Sequence, residues 1–258
     1  MQPPRPDSFM AEAPALEAVQ LYKFFGRKQA QTPVLQDVSF TLGDGEFLCL
    51  MGPSGSGKSS MLHLLSGIDE PSSGDVRLFG RSLVEATSAD RTRLRRDQIA
   101  YVFQFFHLLP NLTVSENVGL PLAIAGERLS KHKGEVDRLL ERFGITGRGN
   151  ALPHELSGGQ MQRASIARAL AGGQKVLLCD EPTGNLSQKA GAEIMETLRR
   201  VCDEDGRSVL LVTHNPRDAA FADRVQFLVD GRLDPANELS GPNIPVESIH
   251  GALAALQI

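Results

Sequence analysis

Glu46-Phe-Leu-Cys-Leu-Met51, Gly52-Pro-Ser-Gly-Ser-Gly57-Lys58-Ser59 and Met61-Leu-His-Leu-Leu65 follow one another almost without interruption. The first run is apolar from Phe47 to Met51, as a strand buried on both faces of a sheet must be. A loop of glycines and serines comes next, and then apolar residues that suit a helix. Strand, glycine loop and helix in that order give G-x-x-x-x-G-K-[ST] its physical meaning, and residues 52–59 fit that pattern. The glycines let the backbone curl so that consecutive N–H groups point inward, and the helix beginning near Ser59 adds its positive end. Such a loop cradles a phosphate. Lys58 supplies a full charge between β- and γ-phosphates, and Ser59 a hydroxyl for Mg²⁺.

On the N-terminal side, residues 1–15 are rich in proline and read as a loose lead-in. Val38, Phe40 and Leu42 then alternate as a half-buried strand, and Gly43-Asp-Gly45 turns the chain. On the C-terminal side, residues 76–79 read as a short strand, 91–97 as a helix and 99–103 as a strand that ends at Gln104. From Thr113 the chain is helical: Thr113 and Glu116 have capping-box spacing, and Val136, Leu139, Leu140 and Phe143 recur at helical intervals before Gly144. Strands over 176–179, 209–212 and 225–229 alternate with helices near 188–203 and 216–221. This alternation predicts an α/β fold with a mainly parallel sheet and helices on its faces. Residues 234–258, with Pro235, Pro242 and Pro245, read as a mostly irregular tail with a last short helix over 246–256.

Val176-Leu-Leu-Cys-Asp180-Glu181 delivers two carboxylates at the C-terminal end of a buried strand, where open α/β sheets bind ligands. Alternation along a strand directs the two side chains differently, so they can take different tasks. Asp180 is expected to hold Mg²⁺, directly or through water. Glu181 is expected to face the γ-phosphate and accept a hydrogen bond from the attacking water, as a general base or a positioning group. Together with the glycine loop, this acid pair predicts a nucleoside triphosphatase.

A chain of 258 residues with 41% hydrophobic and 22% charged residues holds one α/β unit and is neither disordered nor collagen-like. Its 27 basic against 31 acidic residues give a net charge of −4, which supplies no whole-chain field for nucleic acid. Arg91, Arg93, Arg95 and Arg96 lie between Asp90 and Asp97 and read as a solvated helix face. No apolar stretch approaches the roughly 18 residues that cross a bilayer. The N-terminal residues lack the basic start and apolar core of a secretory signal, so a cytoplasmic location is expected. Cys49, Cys179 and Cys202 show no C-x-x-C spacing and read as reduced packing residues.

Leu156-Ser157-Gly158-Gly159-Gln160 opens a further helix and offers a second phosphate cradle, in which Ser157 Oγ and glycine amides sit at a helix N-terminus. This segment resembles the signature motif of the ATP-binding cassette (ABC) ATPases, and the remaining marks of that family fall in order. Gln104 after Tyr101-Val-Phe103 resembles the Q-loop glutamine, and His214 after Leu211-Val-Thr213 the switch histidine that contacts the γ-phosphate. Tyr22 and Phe25 lie where the family places an aromatic that stacks on adenine, and Phe25 is favoured. The resemblance implies a P-loop ABC-ATPase domain over 16–233, with a RecA-like core, an N-terminal antiparallel β part and a helical subdomain over about 106–160. It implies ATP on Phe25, Gly52, Pro53, Ser54, Gly55, Ser56, Gly57, Lys58, Ser59 and Ser60, with Mg²⁺ on Ser59, Gln104 and Asp180. Catalysis would rest on Glu181, His214, Gln104 and Lys58.

In this family two cassettes pack head to tail, so Ser157, Gly158, Gly159 and Gln160 would close over the ATP of a second copy. Phe103-Gln-Phe-Phe-His-Leu-Leu-Pro-Asn-Leu-Thr-Val-Ser-Glu-Asn117 and Asp180-Glu-Pro-Thr-Gly-Asn-Leu186 look like the lipoprotein-release and macrolide-export branch. The cell-division cassette lies close to that branch. The resemblance implies a motor subunit on the cytoplasmic face of the inner membrane, coupled to an integral membrane permease, with no nucleic acid partner. Phe105-Phe-His-Leu-Leu109 is the expected docking lip for the permease, with a place in the core of the helical subdomain as the alternative. A soluble ABC-type ATPase, such as an iron–sulfur assembly cassette, is the alternative. One position departs from the pattern: Ser187 stands where the family usually has the D-loop Asp. Weaker coupling between the two ATP sites, or a lower ATPase rate, is expected from that change.

Overall fold

The computed structural model describes residues 13–26, 31–241 and 243–258. Most of the expected lead-in lies outside these residues. Two sheets organise the chain. An antiparallel sheet runs β2-β1-β4-β5, with β1 Leu16–Phe25, β2 Thr32–Leu42, β4 Ser73–Leu78 and β5 Arg81–Ser82. A six-stranded sheet runs β10-β9-β3-β8-β7-β6, with β3 Phe47–Met51, β6 Ile99–Val102, β7 Val176–Asp180, β8 Ser208–Thr213, β9 Arg224–Val229 and β10 Arg232–Ser240. In it, all neighbours are parallel except β9 and β10.

Side-chain alternation divides the large sheet between two cores. Phe47, Cys49 and Met51 of β3, Leu177 and Cys179 of β7, and Val209 and Leu211 of β8 share one core with α5 (Gly158–Ala171) and α6 (Gln188–Asp205). Leu48 and Leu50, Val176 and Leu178, and Leu210 and Val212 share the other with Met61, Leu62, Leu64 and Leu65 of α1 (Lys58–Leu65) and with the antiparallel sheet. β3 is therefore apolar throughout, and so are 176–179 of β7 and 209–212 of β8. The three cysteines are free and buried, and burial pushes their thiols well above the usual range, away from the reactive thiolate.

One expectation is corrected here, and one strand is added to what the residues disclosed. Leu16–Phe25 is a strand that the sequence did not disclose, because a bulge at Gln20, with φ 45°, shifts the buried set from Leu16 and Ala18 to Leu21 and Lys23. A bulge breaks the period of two by which a strand is recognised. The tail does not become irregular after Leu233: β10 pairs with β9 through Ser240, and Pro235 is tolerated because this edge strand shifts register between Asp234 and Leu239. α8 follows over Val246–Ala255, anchored by buried Ile249 and Ala252. The helical middle contains α3 (Val114–Ile124) and α4 (Lys133–Arg142), both packed on α5. A capping box of Thr113 and Glu116 starts α3. α2 (Ser88–Gln98) buries no residue, and Arg91, Arg93 and Arg96 pair with Glu70, Asp90 and Asp97, so this face is solvated and neutralised.

Candidate active site

Because β3, β8, β7 and β6 are parallel, their C-terminal ends open on one edge of the sheet, and four loops meet there. Gly52, Pro53, Ser54, Ser59, Gln104, Asp180, Glu181 and His214 line a single cavity of about 680 Å³. Residues from four distant parts of the sequence are thus brought together. Phe25 and Ser157–Gln160 are not among the residues that line it. Phe25 ends β1, is 47% exposed, and has Lys23 Nζ 5.1 Å above its ring.

The glycine loop is shaped by contacts that a side chain would break. Gly57 takes φ 103° as the N-cap of α1, and a Cβ there would press on Val34 O at 2.8 Å. Lys58 is buried and its Nζ donates to Gly52 O and Pro53 O, both at 2.8 Å. Burial lowers its pKa, against the opposing charges of Glu181 and Asp180. On the other side, burial and then the neighbouring charge of Glu181 raise the Asp180 carboxyl, with opposition from the Ser59 hydrogen bond, His63 and Lys58. Anion and cation sites are both held against their charged forms, so a phosphate beside Lys58 and a cation beside Asp180 each relieve that penalty.

The residues fit both groups. Ser56 Oγ is buried in the loop without a hydrogen-bond partner, an unsatisfied donor in a phosphate cradle. Ser59 Oγ lies 3.5 Å from Asp180 Oδ1, a hydroxyl and a carboxylate side by side, which are hard oxygen donors of the kind Mg²⁺ takes. Among the described residues no group of three or more His, Cys, Asp or Glu forms a metal site.

Glu181 adopts φ 44°, a left-handed conformation that costs a non-glycine residue on the order of 1–3 kcal/mol. Its N–H donates to Val212 O at 2.9 Å and its carbonyl accepts from Gly184 N at 3.1 Å, which hold the turn. Its Oε1 lies 2.9 Å from His214 Nδ1. Thr183 Oγ1 donates to Asp218, a buried carboxyl on α7 (Pro216–Ala219) raised by burial, and so ties the turn after Glu181 to the segment after His214. Asn185 Nδ2 donates to Gln104 O at 3.0 Å. Sequence reasoning passed over Thr183, Asp218 and Asn185, because hydrogen bonds across 35 or 81 residues leave no local signal. It likewise gave no hint that Leu253 and Ile258, in and beyond α8, form part of the cavity wall.

The second cradle stands apart. Ser157 caps α5, with Oγ accepting from Gln160 N at 3.3 Å and Gln160 Oε1 accepting from Ser157 N at 3.0 Å. Gln160 therefore serves its own helix as the far side of a capping box. At Gly158 a Cβ would approach Leu186 Cδ2 at 3.3 Å and Phe106 at 3.7 Å, so its smallness lets the helix start pack on the 183–187 loop. Ser187 caps α6, accepting from Ala190 N at 3.4 Å.

Fold and cavity together define a P-loop nucleoside triphosphatase: a glycine loop after the central strand, and a carboxylate pair at the end of a neighbouring parallel strand. The family model for ABC transporters matches residues 35–184, and the chain belongs to that family as one of its ATPases. It is 42% identical over 227 residues to an uncharacterized ABC transporter ATP-binding protein of Mycobacterium tuberculosis, covering 88% of this chain and 92% of the relative. Identity is 43% over 218 residues to the lipoprotein-releasing system ATP-binding protein LolD of Geobacter metallireducens, covering 84% and 97%. Against the macrolide export ATP-binding/permease protein MacB of Burkholderia pseudomallei it is 40% over 220 residues, covering 85% of this chain and 34% of that longer protein. The dimeric post-hydrolysis structure of the cassette MJ0796 bound to ADP and Pi superposes with TM-score 0.79 at 35% identity, covering 87% and 98%.

Proposed function

We propose that the chain is the motor subunit of a transporter, in which two copies close head to tail around two ATP molecules and drive a separate membrane permease. The observation that carries this reading is that the helix N-terminus at Ser157–Gln160, the expected second cradle, lies outside the cavity that the glycine loop shares with Asp180 and Glu181. A two-fold pair of copies brings each Ser157–Gln160 segment over the partner's glycine loop and completes both sites.

Within each site, Phe25 stacks on the adenine and the amides of residues 52–60 hold the phosphates. Lys58 leaves the carbonyls of Gly52 and Pro53 to meet the β- and γ-phosphates, exchanging two neutral acceptors for charged ones. Ser59, Asp180 and Gln104 would hold Mg²⁺, which would supply neutralisation of charge on the phosphate oxygens. Glu181 orients the attacking water and accepts its proton, and His214 holds Glu181 Oε1 while reaching toward the γ-phosphate.

The permease reading is supported by the lip after Gln104. Phe105 is 64% exposed and Leu109 and Ile124 are also exposed, beside a groove lined by Tyr101, Phe103, His107, Leu120 and Pro121. Phe106 and Leu108 turn inward, so the expected lip is an alternation of outward and inward residues. Exposed apolar groups around a groove mark a surface for another protein, here the cytoplasmic side of a permease in the inner membrane. No helix among the described residues is long and apolar enough to cross a membrane. Size-exclusion chromatography with light scattering on Glu181→Gln tests the two-copy reading: a dimer only with Mg-ATP is expected, and a monomer under both conditions overturns it. Co-purification with a membrane protein that Phe105→Glu abolishes is the expected result for the lip, whereas co-purification with soluble scaffold proteins points to an assembly cassette.

A further inference from the structure

Gln162 lies one turn into α5, fully buried. Its Nε2 donates to Pro182 O at 2.8 Å and to Phe103 O at 3.4 Å, and its Oε1 is buried with no partner. Phe103 immediately precedes Gln104, and Pro182 immediately follows Glu181. One side chain on the helix that begins with the second cradle therefore grips the backbone beside both groups assigned to the attacking water.

The rest of α5 reinforces this arrangement. Arg168 Nη1 and Nη2 donate to His107 O at 2.6 Å and Phe106 O at 3.0 Å. Gln104 and Phe105 are thus bracketed by carbonyls that the same helix holds on either side. At the helix start, Gly158 packs on Leu186 and Phe106. A tilt or shift of α5 when Ser157 engages a phosphate is passed to residue 182 through the short, buried bond from Gln162, and to residues 103–107 through the three further bonds from Gln162 and Arg168.

We propose that Gln162 is a positioning residue that couples engagement of the signature cradle to the placement of Gln104 and Glu181 in the same chain. Closure over the partner's ATP moves α5, and Gln162 carries that movement to the Phe103 and Pro182 carbonyls. Each copy then hydrolyses its own ATP efficiently only when its signature is engaged. The inference rests on the two-copy reading above.

The test is Gln162→Met in the full chain, which keeps length and volume but has no donor, with Gln162→Asn as the variant that keeps the amide and shortens its reach. Steady-state ATPase activity, the Hill coefficient, binding of a fluorescent ATP analogue and thermal melting are measured together. The expected result is a kcat at least tenfold lower with a Hill coefficient near one, while analogue affinity stays within threefold of the parent chain. Gln162→Asn follows the same pattern, which keeps the proposal testable where Gln162→Met folds poorly. A kcat within twofold of the parent overturns the proposal, as does a parallel loss of kcat, affinity and melting temperature in both variants. Failure of the two-copy reading appears separately, as Glu181→Gln remaining monomeric in Mg-ATP. A selective kcat loss in Gln162→Met then still reads the placement within one chain.

Discussion

His214 Nδ1 and Glu181 Oε1 stand 2.9 Å apart across 33 residues of sequence, at the ends of the adjacent parallel strands β8 and β7. The Glu181 N–H also bonds to Val212 O, two residues before His214. Both backbone and side chain of Glu181 are therefore referred to the strand that carries His214, and movement of one loop displaces the carboxylate of the other.

From this pairing, Glu181→Gln is expected to keep ATP binding, since the amide retains the shape and the hydrogen bond to His214, but to lose the proton acceptor. Removal of one positioned group in such a site lowers the rate on the order of 10²–10³-fold. Single-turnover phosphate release measures it, and turnover at the parent rate would refute the role given to Glu181.

Lys58 makes binding sensitive to pH. Burial holds its pKa below the ordinary lysine value, so the cation that meets the phosphates is lost as pH rises through that lowered value. ATP affinity should therefore decline on the alkaline side before the pH near 10.4 at which a free lysine titrates. Isothermal titration from pH 7 to 10 follows this, with Lys58→Ala weak throughout and flat.

Ser187 caps α6 through the amide of Ala190, and Asp is an equally good cap. Ser187→Asp should then leave thermal stability unchanged while it strengthens coupling between the two sites. The ATPase Hill coefficient and kcat should rise. Unchanged values of both would show that the acid is dispensable here.

Asn117 is buried at the base of the lip. Its Nδ2 donates to the carbonyls of Leu109, Leu112 and Thr113 at 3.0 Å each, and its Oδ1 accepts from Leu109 N at 2.7 Å. Asn117→Ala takes their side-chain partner from Leu109 N and Leu112 O, whereas Leu109 O and Thr113 O keep the N–H groups of Leu112 and Asn117, and should cost about 1–3 kcal/mol by urea unfolding. Binding of ATP to the isolated chain should persist, since none of these groups lines the phosphate cavity, while capture of a permease weakens.

Consecutive residues sufficed to reveal the phosphate loop, the acid pair, the buried strands and the helix caps. Glycines at 52, 55 and 57 and the period of apolar residues act through the backbone of their own segment, so local order is enough to read them. The bulged strand Leu16–Phe25 and the edge strand Arg232–Ser240 escaped that reading, because a bulge resets the two-residue period and an edge strand buries little. The approach of Glu181 to His214, the hold of Thr183 on Asp218, the grip of Gln162 on Phe103 and Pro182, and the reach of α8 to the cavity arise only when parallel strands place their C-terminal ends together. Such contacts depend on distances between segments far apart in the chain. These are set by the packing of both cores and are absent from any local pattern of residues.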